Sequence, residues 1–122
     1  MSYQDLINNN VYFFFTVQLT VKLYHWNTTS FSRHKATDGL LDSLASGIDK
    51  YIEVFIGKYK VKPLIENIKI KSEYLSDSGI IRLLELFQNY LEKLTIGDVS
   101  LLNIRDEILG HVNQTLYLFN LE

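Results

Sequence analysis

Apolar positions along the chain recur with helical spacing in four stretches and lose that spacing in one. Phe13, Phe14, Val17, Val21 and Tyr24 return at intervals of three and four, which predicts a first helix over residues 4–27. Asn27, Thr28 and Thr29 interrupt the pattern, and Ser30 and Ser32 offer side-chain oxygens to cap the next helix. A second helix is expected over residues 32–59, with Leu41, Leu44, Ile48, Tyr51, Ile52, Phe55 and Tyr59 on its core face. Residues 60–77, KVKPLIENIKIKSEYLSD, hold the single proline and read as a long connection with a short helix at 64–70. IIRLLELFQNYLEKL (80–94) is a third amphipathic helix, closed by TIGD. A fourth begins near Val99, capped by Asp98, and continues to about residue 121. Strand signals are nearly absent.

Two long helices, a long connection and two further helices predict an all-α four-helix bundle with one overhand crossover between helices 2 and 3, the ferritin-like arrangement. Roughly seventeen residues, extended at about 3.3 Å each, span a bundle about 40 Å long. An up-down-up-down bundle would need a much shorter link. A generic helical bundle or helical interaction domain fits the same pattern.

Composition narrows the function classes. A chain of 122 residues makes one domain, 1–122, with one core. Its 47% apolar and 21% charged content is that of a soluble globular protein rather than a disordered one. A net charge of −2 argues against a protein built to grip phosphate backbones. Without cysteine there is no disulfide, zinc-thiolate site, iron–sulfur cluster or thiol nucleophile. MSYQDLINNN lacks the basic start and apolar run of a secretory signal. Polar residues interrupt VYFFFTVQLTVKLYHW well short of a membrane span. A cytoplasmic protein with no membrane association is therefore expected.

The second helix carries the candidate chemistry. With His34 at zero and 100° per residue, Asp38 falls at ~40°, Asp49 at ~60°, Asp42 at ~80° and Glu53 at ~100°, while the apolar face centres near ~300°. These residues occupy a flank beside the core, where one subunit can meet another. His34 and Asp38 are adjacent on the helix surface and can hold a cation between them; so can Asp49 and Glu53. The two pairs lie roughly 16 Å apart along the axis, too far for one ion with bonds of about 2.0–2.3 Å. A second copy of the helix, antiparallel about a two-fold axis near residues 43–44, would bring each pair opposite the other pair of its mate. Gly39, Ser43, Ala45, Ser46 and Gly47 surround that axis and would let two backbones approach. Gly47 costs about 1 kcal/mol relative to Ala in mid-helix, which a close contact there would explain. His25, at the end of the first helix, can complete the His34/Asp38 half-site. Two imidazoles and three carboxylates suit Fe(II), Mn(II) or Zn(II). Taken separately, each pair is more commonly a solvated set of i,i+4 charges.

LYHWN, then H-x3-D at 34–38 and D-x3-E at 49–53, resembles the ferroxidase signature of the Dps family of mini-ferritins. RDEILGHVNQTLYLFNLE resembles that family's last helix. The resemblance implies inter-subunit iron sites: His25, His34 and Asp38 from one chain, Asp49 and Glu53 from its mate, and Trp26 as the neighbouring aromatic. It implies oxidation of Fe(II) by peroxide or oxygen, for storage or protection from oxidative damage. It also implies a homo-oligomer, a two-fold dimer at minimum, with a twelve-subunit shell as the fuller assembly. The gap from His25 to His34 is nine residues, three fewer than the family usually shows, and the third helix is short. The first ten residues contain no Lys or Arg, so DNA binding through a basic tail is not expected. Glu66 and Glu73 dilute the lysines at 58, 60, 62, 69 and 71.

His111 and Glu107, on the last helix, are expected on the surface, and the YFFF run (12–15) as core on one side and subunit contact on the other. A non-enzymatic helical bundle serving assembly or protein interaction, with a vestigial metal site, is the competing function class.

Overall fold

Four helices form: α1 (Tyr3–Asn27), α2 (Phe31–Tyr59), α3 (Asp77–Lys93) and α4 (Val99–Phe119), with a 3-10 turn at Ser72–Leu75. This computed structural model describes residues 1–121, and no strand occurs among them. Polar side chains satisfy the helix starts. Ser2 accepts from Asp5 N–H, Ser30 from Arg33 N–H, Ser76 from Gly79 N–H and Asp98 from Leu101 N–H. The Ser76 cap starts α3 three residues earlier than the apolar spacing predicts.

Side-chain contacts fix the helix directions. Phe14 meets Tyr51 edge-on (centroids 5.4 Å apart) and Tyr3 stacks on Tyr59 at 3.9 Å, so α1 and α2 are antiparallel. Phe13 stacks on Phe87 at 5.7 Å while Tyr24, further along α1, bonds Asp77 at the start of α3, which sets α3 antiparallel to α1. Lys58 lies 3.7 Å from Asp98, and Gly47 abuts Ile108, so α4 is antiparallel to α2. Since α2 and α3 point the same way, the connection between them must travel the length of the bundle. The result is an all-α four-helix bundle with a long crossover.

The expected helix over residues 64–70 does not form. Half-buried and exposed residues alternate from Val61 to Glu66 and from Ile68 to Lys71, the period-two pattern of extended backbone. The strap is tied to α1: Gln4 donates to the Lys62 carbonyl (2.7 Å), and Asn8 Oδ1 accepts from Leu64 N–H (2.8 Å).

The core runs through all four helices, with Phe14, Leu44, Tyr51, Phe55, Phe87 and Val112 fully buried. One polar layer crosses it. Asn10 is fully buried, donates to the Tyr51 hydroxyl (3.4 Å) and accepts from the Tyr90 hydroxyl. Gly47 makes a close approach within its own chain. A Cβ there would stand 2.7 Å from Ile108 Cγ1. No described helix is long and apolar enough to cross a membrane.

Candidate metal centre

At the end of the bundle where α1 gives way to α2, three residues (28–30) turn the chain back on itself. Arg33 locks this end: its guanidinium donates to the Tyr24 hydroxyl (3.1 Å) and the Asp77 carbonyl (3.0 Å) and lies over the Phe119 ring. Tyr24 in turn donates to Asp77 Oδ1 at 2.7 Å. All four helices are joined there, and the first turns of α2 are held rigidly against the last turn of α1.

That junction brings His25, His34 and Asp38 together. One ligand atom from each lies within 4.8 Å of the others, the only such group of three or more among the described residues. His25 is buried, His34 half-buried and Asp38 exposed, so the cluster has a closed floor and an open mouth. His34 Nδ1 is 2.9 Å from the His25 carbonyl, which can only accept. The proton of a neutral His34 therefore sits on Nδ1, and its Nε2 carries the lone pair. His25 Nδ1 contacts Thr37 Oγ1 at 2.8 Å, while its Nε2 lies 3.4 Å from Asp38 Oδ1. A separation of that size matches two ligand atoms, each about 2.1 Å from one ion, at a near-tetrahedral angle.

The two imidazole rings are stacked, 3.8 Å between centroids and 16° from parallel. An imidazole binds a metal in its own ring plane, and planes this close to parallel do not meet within bonding distance. The pair thus offers two positions side by side, one per ring, and a single ion shared by both would require one ring to turn. Two-metal sites use spacings of about 3.5–4 Å.

Asp49 and Glu53 stand apart from this cluster, exposed on the outer side of α2. Asp49 borders a groove with Phe15, Ile52 and Leu64, between α1, α2 and the crossover. Trp26 is 66% exposed, beside the cluster in sequence but pointing to solvent. His111 and Glu107 are exposed and flank a polar recess with Asp42 and Ser46. Among the described residues the buried polar side chains are Asn10, Thr20, His25, Thr37 and Thr115, with no carboxylate. Among the described residues the bundle interior therefore lacks the carboxylates for a metal pair between its own four helices.

Sequence reasoning passed over Thr37, the partner of His25. Its signal was spacing alone: it lies three and seven residues before Leu40 and Leu44 on the buried face of α2.

Fold and cluster together define a class: a four-helix bundle with an overhand crossover and a two-histidine, one-carboxylate group at the α1–α2 junction. Within it, the chain belongs to a family of unknown function, DUF5856, whose family model matches residues 25–119. No curated protein and no solved structure matches the chain.

Proposed function

We propose that this protein is a Dps-like iron-binding protein, taking Fe(II) as substrate at His25, His34 and Asp38 and oxidising it with peroxide or oxygen. The observation that carries the reading is the convergence of those three side chains, with His34 Nε2 free to bind and a 3.4 Å gap between His25 Nε2 and Asp38. Nitrogen and oxygen donors suit ferrous ions and tolerate the ferric product; Zn(II) or Mn(II) would compete for the same atoms. Two in-plane positions would let neighbouring ferrous ions each give one electron to a peroxide, which avoids releasing a radical. The protein's own part is to orient the donors and leave coordination positions open to the oxidant.

Among the described residues one chain brings three ligands together, so the reading includes a partner. In a two-fold homodimer, Asp49 and Glu53 of one protomer would close the cluster of the other. Exposed Phe15 and Leu64, which line the groove with Asp49, are the apolar surface such a dimer would cover. Higher assembly into a shell would add storage, and the setting would be cytoplasmic.

The test is His34→Ala combined with Asp38→Ala. The double variant should keep its helical circular dichroism and its mass in solution while losing anaerobic Fe(II) binding and the Fe(III) absorbance that follows addition of peroxide or air. Normal iron stoichiometry in that variant would overturn the assignment. A wild-type protein that is folded, oligomeric and inert to iron would favour the assembly or interaction reading, for which the same exposed apolar residues speak.

A further inference from the structure

We propose that Thr37 is a positioning residue that holds the proton of His25 on Nδ1 and so keeps a lone pair on Nε2, the nitrogen that faces an incoming ion; this rests on the metal-binding reading above. Thr37 is fully buried. Its Oγ1 lies 2.8 Å from His25 Nδ1, 2.9 Å from the Arg33 carbonyl and 3.0 Å from the His34 carbonyl. A hydroxyl has one hydrogen to give and can also accept, whereas a carbonyl can only accept. Donation to the carbonyls one turn back is the usual habit of threonine in a helix. With its hydrogen so placed, the oxygen accepts from His25 Nδ1–H, and the Nε2 lone pair is left facing Asp38.

The distance on the far side of the ring agrees. A protonated Nε2 bonded to a carboxylate would draw in to about 2.7–2.9 Å, yet Nε2 and Asp38 Oδ1 stand 3.4 Å apart. The two imidazoles are thus governed differently. A backbone carbonyl fixes His34 whatever the neighbouring side chains. His25 depends on one hydroxyl, and loss of that acceptor would let the proton move to the metal face, towards Asp38. Outer partners of metal-binding histidines commonly set the tautomer in this way.

The experiment uses the full chain labelled with 15N at histidine, at a pH where the rings are neutral, together with Zn2+ as a redox-silent probe. His25 should show the Nδ1–H tautomer. In Thr37→Val, which keeps the shape and removes the hydroxyl, the Nε2–H form should appear and Zn2+ affinity should fall about 10–100-fold. Thr37→Ser should restore both. A wild-type His25 already in the Nε2–H form, or a Val variant unchanged in tautomer and affinity, would overturn the proposal. If the tautomers behave as expected but Zn2+ never binds, the metal reading fails while the hold of Thr37 on His25 stands.

Discussion

Gly47 lies where α2 packs against Ile108 of α4, and its missing side chain leaves room for that contact. An added Cβ would lie 2.7 Å from Ile108 Cγ1 and 3.2 Å from its Cδ1. Gly47→Ala should therefore destabilise the fold by about 1–2 kcal/mol, because overpacking outweighs the gain in helix propensity. Gly110→Ala is the control: nothing lies within 4 Å of its Cβ position, so propensity alone acts and stability should rise by roughly 0.5–1 kcal/mol. Urea melts of the two variants should move in opposite directions. The polar layer makes a separate prediction. Burial pushes the Tyr90 hydroxyl up to about 12 and raises that of Tyr51 as well. Unfolded tyrosines lose their protons near about pH 10. Below that pH both states are protonated and these groups leave stability unchanged. Above it the unfolded chain binds fewer protons than the folded one, so stability should fall as pH climbs from about 10 towards 12. Phenolate absorbance should show Tyr51 and Tyr90 ionising only as the bundle melts.

Among the elements, the end of α2 and the strap beyond it are the most instructive. Lys60 terminates α2 in the left-handed region, at φ 59°, with its N–H bonded to the Ile56 carbonyl. An L side chain is disfavoured there and glycine is at ease. Lys60→Gly should stabilise the protein by about 1 kcal/mol in thermal or urea unfolding. The four helices were legible because each has a long apolar period and a recognisable break, such as Ser30 or Asp98. The strap was misread at residues 64–70 because a short apolar run does not declare its own period. Its alternation is plain once Val61, Pro63 and Ile65 are compared with Lys62, Leu64 and Glu66. Length also hid the 3-10 turn at Ser72–Leu75, four residues that no periodicity can resolve.

At the scale of the molecule, the antiparallel pairing of α1 with α2 is what turns a spacing of nine residues into a contact. A shorter loop than the resemblance leads one to expect still lets His25 meet His34, because the turn at residues 28–30 folds the two helices tightly together. That His25 would join His34 and Asp38 was readable from the helix ends. The rings' stacking, and the part of Thr37, were not, since both depend on side-chain orientation in three dimensions. The contact of Gly47 with Ile108 of α4 was not readable for a related reason. A small residue in mid-helix announces a close approach without saying which surface makes it.

His25, His34 and Asp38 all fall within one short run of sequence wrapped around a single hairpin tip. Assembling them asks only that this tip close, not that distant parts of the chain find one another. A cation captured there would clasp the last turn of α1 to the first turns of α2, adding to the hold that Arg33 has on Asp77 and Phe119. Pairing with a second protomer would then act on pockets already formed, adding donors to them rather than creating them.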